Sequence, residues 1–144
     1  MIQLTNEQIN EIADNLDCGF RCFINIKTGE IKETYYPDNF IVGDFGPWQE
    51  DLEELEENWG DYLEIDGMSS DDSFKIMADF AEEVDNPFVR ERLINALNRL
   101  KPFRNFKRVI DDSGKYRDRW FEFKHQIYVE WVKNQIDAYN RNYE

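Results

Sequence analysis

Apolar residues in the C-terminal half of the chain recur every three or four positions, the spacing of a helix with one buried face. This pattern predicts four helices. A Ser-x-x-acid capping box begins the first at Ser69, and a cap followed by proline begins the second at Asn86-Pro87. Pro102 separates the second helix from a short third one. Ser113-Gly114 precedes a long last helix, from about Lys115 to near Tyr139.

Each of these helices has a set of residues that we expect to face the core. In the short third helix, the inward set should leave the charged residues on the opposite side. The inward residues are Phe74, Met77, Phe80, Ala81 and Val84 in the first helix; Val89, Leu93, Ala96, Leu97 and Leu100 in the second; Phe103, Phe106, Val109 and Ile110 in the third; and Tyr116, Trp120, Phe123, Ile127 and Trp131 in the last.

The N-terminal half begins with a helical pattern and then changes to a period of two. Thr5 or Asn6 is a suitable cap for a short helix over residues 6–15. From Phe20 onward the apolar residues alternate, which predicts a strand. Gly29 can take the left-handed conformation that closes a short hairpin turn, and a second strand is expected from Ile31 to Tyr36.

The following stretch predicts a loop, a short acidic helix and a third strand. Pro37 ends the second strand, and the glycines and proline of residues 38–47 favour a connecting loop. The acidic run from Glu50 to Glu57 is typical of a solvated helix face, with an acidic docking surface and a divalent-ion site as alternatives. Asp61 to Ile65 predicts the third strand. The buried stripe of the short helix is expected to be Trp48, Leu52, Leu55 and Trp59.

These elements predict an α+β fold. It consists of a small three-stranded antiparallel sheet with an N-terminal helix, followed by a C-terminal bundle of about four helices. A chain of 144 residues fits a single domain over residues 1–144, with an acidic helix and sheet part at 1–66 and a helical part at 67–144. Neither an export signal nor an apolar run of about 18 residues is visible, so we expect a cytoplasmic protein that does not insert into a membrane.

The net charge of −14 is distributed very unevenly. Residues 1–66 contain 17 acids and three bases, whereas residues 67–144 contain 14 of each. Between Arg90 and Lys124 there are 11 bases and only five acids. Because an acidic molecule repels a polyanion at long range, nonspecific nucleic-acid binding is disfavoured, but a local cationic patch remains possible.

The residue types of several common active sites are missing or isolated. Cys18 and Cys22 are not spaced as Cys-x-x-Cys, and we expect two reduced thiols that pack like small apolar groups. His125 is the only histidine, and a surface or packed role is the default for it. No nucleophile elbow, phosphate-binding glycine loop or His-Glu-x-x-His motif is present. We therefore predict no catalytic residues, no cofactor and no metal site.

One set of residues stands out by its order along the chain: Thr28-Gly29-Glu30, Tyr62-Leu63-Glu64-Ile65, Met77, Phe80, Arg92, Leu93, Ala96-Leu97, Phe103-Arg104, Phe106-Lys107, Trp120, Phe123 and Trp131. This order, from Met77 onward above all, resembles an uncharacterised bacterial protein family, number 0158 of the groups with that description. The likeness covers roughly residues 22–132 and is strongest over 74–124. The resemblance supports the predicted fold, and it implies no activity because the family has none established. Just before Phe103 the resemblance leads us to expect a small, glycine-rich approach, where the chain has Arg99-Leu100-Lys101-Pro102.

The strongest candidate for a functional site is the cationic segment, Arg99–Arg108. Since Phe103, Phe106 and Ile110 are expected to point inward, Arg104, Lys107 and Arg108 should project outward beside a helix N-terminus, where they could hold a phosphate or carboxylate. The competing interpretation is that these cations pair with acids of the same molecule.

Three functions are compatible with these patterns. The favoured one is a non-enzymatic protein-interaction module, because opposed acidic and basic regions suit charged partners. The second is a binder of an anionic ligand at the cationic segment, either a phosphate-bearing small molecule or a nucleic-acid end. The third is a hydrolase that uses acids around a metal. We lean against an enzyme, and we expect an unidentified protein as the partner.

Overall fold

The computed structural model describes residues 1–34 and 49–142. Helix α1 spans Asn6–Asp17 and is followed by strands β1, Arg21–Asn25, and β2, Ile31–Thr34. Helix α2 spans Gln49–Glu57, a 3₁₀ turn spans Trp59–Asp61, and strand β3 spans Tyr62–Ile65. The C-terminal helices are α3, Ser70–Glu83; α4, Pro87–Leu97; α5, Pro102–Asp111; and α6, Lys115–Arg141.

The predicted α+β fold is confirmed. A three-stranded antiparallel sheet follows the N-terminal helix, and four helices follow the sheet. The described chain forms two compact units. Among the described residues, the first contains 1–34, 49–67 and 128–142, and the second contains 68–127. Residues 128–142, in the C-terminal part of α6, belong to the unit that contains the sheet. The single domain over residues 1–144 stays a prediction.

Helix α1 begins where its cap was predicted. The Thr5 hydroxyl accepts a hydrogen bond from the Gln8 backbone N–H at 3.1 Å, and the Gln8 side chain accepts one from the Thr5 N–H at 2.9 Å. This capping box satisfies two of the N–H groups that a helix start leaves unpaired. The helix buries its apolar stripe, which consists of Ile9, Ile12, Ala13 and Leu16.

Strand β1 is the centre of the sheet, with the order β2-β1-β3. Gly29 has φ 78°, the left-handed conformation predicted for the hairpin turn between β1 and β2. The Asn25 carboxamide stabilises that turn by accepting hydrogen bonds from the N–H groups of Lys27 and Thr28. Both faces of β1 are covered, because Phe23 is buried as well as Cys22 and Ile24.

Two sets of ionic contacts stabilise the sheet and attach helix α2 to it. Arg21 donates two hydrogen bonds of 2.8 Å to the carboxylate of Glu64, a paired geometry that joins β1 to β3. Lys32, only 8% exposed, lies 2.8 Å from Glu54, whose carboxylate also accepts a hydrogen bond from the Tyr62 hydroxyl. Both interactions lower the pKa of Glu54. Part of the acidic helix α2 is therefore held by the sheet.

The second unit has one core built from all four helices. Helix α3 begins at the predicted capping box of Ser69 and Asp72, and α4 begins at Asn86 with Pro87 in its first position. The buried residues of this core are Ile76, Met77, Phe80, Ala81, Val84, Leu93, Leu97, Phe106, Ile110, Tyr116 and Trp120.

Four of the expected core positions are wrong. Phe74 is exposed and Ile76 is buried in its place. Trp59 lies in the 3₁₀ turn beyond the end of α2 and is exposed. Leu100 lies beyond the end of α4, and Phe103 lies at the edge of the inward face of α5; both are exposed. The predictions for Tyr35 to Trp48 lie outside the described residues.

Candidate binding surface on α5

Helix α5 has two opposite faces of different chemistry. Phe106 and Ile110 are each 1% exposed and lie one turn apart on the inward face. Arg104, Lys107 and Arg108 are exposed and project from the opposite face. Positions three and four apart on a helix are neighbours, at about 5–6 Å between Cβ atoms. The three cations therefore form a single surface, hereafter the cationic face of α5.

Aromatic packing anchors the inward face. The rings of Phe106 and Trp120 form an edge-to-face pair with a centroid distance of 4.9 Å. Trp120 in turn contacts Phe80 at 5.3 Å, and Phe80 contacts Phe123 at 5.3 Å. Edge-to-face pairs of this kind stabilise a core beyond the area that they bury. Helix α5 is therefore held by the Trp120 ring of α6, which in turn packs on Phe80 of α3.

Within residues 1–34 and 49–142, no carboxylate lies within salt-bridge distance of Arg104, Lys107 or Arg108. The nearest acid along the same face of the helix is Asp111, and its carboxylate contacts Arg117 at 3.4 Å. The segment from Arg99 to Ile110 contains no acid at all. The described residues thus leave this positive charge without a neutralising neighbour.

The turn that leads into α5 has an unusual backbone. Lys101 has φ 57° and ψ 58°, and it is the only residue other than glycine with a positive φ in the described chain. Lys101 lies in the approach to Phe103, where the family resemblance led us to expect small, glycine-rich residues. Pro102 fixes the next φ, and the Asn105 side chain donates a hydrogen bond of 2.8 Å to the Leu100 carbonyl. No side chain caps the first turn of α5.

Two apolar side chains project into solvent at this turn. Leu100 is 92% exposed and Phe103 is 43% exposed. Both were expected to face the core. Leu100 has the apolar spacing of α4 but lies beyond its end at Leu97, whereas Phe103 lies inside α5, at the edge of its inward face. For Leu100, Pro102 is the signal that the helix has already ended, since the residue before a proline rarely continues a helix.

A second polar cluster joins the start of α6 to the loop before α4. The Tyr116 hydroxyl donates a short hydrogen bond to the Asp85 carboxylate, and Arg119 lies 3.7 Å from the same carboxylate. The hydrogen bond lowers the pKa of Asp85 and raises the pKa of Tyr116. Both pKa shifts favour a neutral Tyr116 phenol beside an ionised Asp85 carboxylate, so we assign this cluster a structural role.

The remaining candidates do not assemble a reactive centre in the described residues. His125 is half-buried on α6. Cys18 is exposed and Cys22 is buried, and both are free thiols. Burial raises the pKa of Cys22 to about 12, so that thiol is a poor nucleophile. Across residues 1–34 and 49–142, no three His, Cys, Asp or Glu side chains are grouped to hold a metal ion.

None of the helices in the described part of the chain combines the length and the apolar character that a membrane span requires. This finding concerns the helices alone.

Comparisons with known proteins place the chain beside other proteins of unknown activity. The model of a family described as "Uncharacterised protein family (UPF0158)" matches residues 40–142. A Pseudomonas aeruginosa protein that carries the same family name is 28% identical over 131 residues, which cover 90% of this chain and 80% of that protein. No solved structure matches the chain.

Proposed function

Because the chain belongs to the uncharacterised protein family UPF0158, which has no activity attached to it, we propose a function from the geometry of this chain. The protein is an interaction module that docks a negatively charged partner on the cationic face of α5. The observation that carries this proposal is the contrast between the two sides of one helix. Phe106 is fixed in the core, and Arg104, Lys107 and Arg108 project opposite it.

This arrangement favours binding because the helix axis is already fixed. A partner does not have to order the backbone that carries the cations, so less conformational entropy is lost on association. Charges at the edge of an interface increase the rate of encounter and make binding sensitive to salt. Without a neutralising carboxylate among the described residues, the cations of α5 lose no internal ion pair when they bind.

The overall charge favours a protein partner over a polyanion. With a net charge of −14, the chain repels a long nucleic acid, whereas a partner with a few clustered carboxylates meets mainly the local cations. We further place this binding in the cytoplasm of a bacterial cell. The two unpaired cysteines are what a reducing compartment maintains, and the matching relative is from Pseudomonas aeruginosa.

Affinity capture with matched variants tests the proposal. The wild-type protein and the triple variant R104A/K107A/R108A are used as baits in extract of the cells that make the protein. The control bait, K75A/R90A/R141A, removes three exposed cations from α3, α4 and α6. We expect a partner that binds the wild type and the control at low salt and is lost at about 0.5 M salt, where screening is nearly complete.

Two results would contradict the proposal. One is a partner that the R104A/K107A/R108A bait retains as well as the wild type does. The other is repeated capture of nothing by the wild type.

A second candidate function is the binding of an anionic ligand, a phosphate-bearing small molecule or a nucleic-acid end. It is favoured by the uncapped first turn of α5, where Arg104 lies beside backbone N–H groups. A thermal-shift screen with phosphate, nucleotides and short oligonucleotides tests it, since a ligand of the folded state raises the melting temperature. No response, or a response that R104A/K107A leaves unchanged, would exclude this candidate.

A further inference from the structure

Apolar and positive side chains alternate at the entrance of α5. Leu100 lies between Arg99 and Lys101, and Phe103 precedes Arg104. Single exposed apolar residues are common and need no explanation. Here, however, two large ones occur within four residues, in a segment with five bases and no acid.

The backbone beneath these side chains is fixed although the side chains are in solvent. The carbonyl of Leu100 accepts the 2.8 Å hydrogen bond from Asn105, and the carbonyl of Lys101 accepts a 3.1 Å hydrogen bond from the Asn105 N–H. Pro102 restricts the connection between them. The turn therefore presents Leu100 at a defined position, as an anchoring residue in an interface requires.

We infer that the partner docks through an acidic peptide segment with aliphatic or aromatic side chains, which cover Leu100 and Phe103 while its carboxylates meet Arg104, Lys107 and Arg108. This inference rests on the proposed function and specifies the partner's chemistry. Charge complementarity selects the acidic residues, and the exposed pair selects the apolar ones. Each alone gives a weak site; together they provide an apolar centre with a polar rim.

The more exposed member of the apolar pair, Leu100, favours a peptide over a nucleic-acid end. Leu100 is the more exposed of the two and is aliphatic, so it offers no ring on which a base could stack. A leucine is instead well suited to contact with the apolar side chains of another protein.

A peptide-display selection tests the inference. A library of random 16-residue peptides is selected on the wild-type protein. The affinities of the enriched peptides are then measured by fluorescence anisotropy against three variants: L100S/F103S, R104A/K107A/R108A, and the control F88S/I94S. The control removes two exposed apolar residues from α4, outside the cationic segment. Circular dichroism checks that each variant is folded.

We expect enriched peptides that combine Asp or Glu with Leu, Ile, Phe or Trp. L100S/F103S should weaken peptide binding by about tenfold or more, since burying one leucine and one partly exposed phenylalanine is worth at least that factor. R104A/K107A/R108A should weaken it by about tenfold or more as well, because the carboxylates of the peptide lose the cations that they contact. F88S/I94S should bind like the wild type.

Other outcomes separate this inference from the proposed function. If only R104A/K107A/R108A weakens binding, the inference is wrong and docking by charge survives. If neither variant weakens binding, both fail. Failure to enrich any peptide, or tighter binding of a single-stranded oligonucleotide than of every peptide, also overturns the inference.

Discussion

The two phenylalanines of α5 give the most direct test of how this helix is anchored. Phe106 is 1% exposed and packs on Trp120 at 4.9 Å, whereas Phe103, one turn earlier, is 43% exposed. Removing a buried phenylalanine ring costs about 3–5 kcal/mol, because both the burial and the packing around the new cavity are lost. We therefore expect Phe106→Ala to remove a large part of a stability that is typically about 5–15 kcal/mol.

Phe103→Ala is the matched control because it removes the same atoms from the same helix. Roughly half of that ring is in solvent, and alanine is the better helix former, so the expected loss is about 1 kcal/mol. Urea titration followed by far-UV circular dichroism measures both variants, and the difference between them should be at least about 2 kcal/mol. Equal losses, or a larger loss for Phe103→Ala, would refute the orientation of α5 on which the cationic face depends.

Three further predictions concern other parts of the chain. Lys101→Gly should be more stable to urea than Lys101→Ala by about 1 kcal/mol, because both variants remove the charge but only glycine relieves the left-handed backbone; equal stabilities would contradict the strain. In a thiol titration at pH 8, the native protein should show one reactive thiol, Cys18, and the urea-unfolded protein should show two. The reason is that burial raises the pKa of Cys22 to about 12 in the folded protein. Two reactive thiols in the native protein would show that Cys22 is accessible. Tyr116→Phe should lower the free energy of unfolding at pH 7 but not at a pH well below 3.8. The hydrogen bond from Tyr116 lowers the folded-state pKa of Asp85. The stabilisation that this bond provides is therefore present above the ordinary carboxyl pKa and is lost as the pH falls through the folded-state pKa. A difference between wild type and variant that does not change with pH would refute that link.

Local signals made most of the fold predictable from the sequence. The caps at Thr5, Ser69 and Asn86 and the glycine of the hairpin act within a few residues, so the sequence alone shows where those elements begin. The order of the strands and helices then followed from the change of period between the two halves of the chain.

Two of the four errors, Trp59 and Leu100, occurred where a pattern was continued past the end of its helix. The other two, Phe74 and Phe103, lie inside α3 and α5 but are exposed. Leu100 has the spacing of the buried face of α4, but α4 ends at Leu97, and only the residues inside the helix follow its period. The cations of α5 could be predicted from the spacing, because Phe106 fixes which side is buried. The way in which the turn at Lys101 presents Leu100 and Phe103 could not be predicted, because that turn depends on a left-handed backbone that is unusual for a lysine.

The binding surface itself is tested most directly by photo-crosslinking from a single position. A benzophenone side chain replaces Leu100 in one protein and the exposed Phe88 of α4 in a second, and each is irradiated in extract of the cells that make the protein. We predict a discrete crosslinked product from position 100 that disappears in the R104A/K107A/R108A background and is absent from position 88. No product from position 100, or the same product from both positions, would contradict docking at the entrance and cationic face of α5.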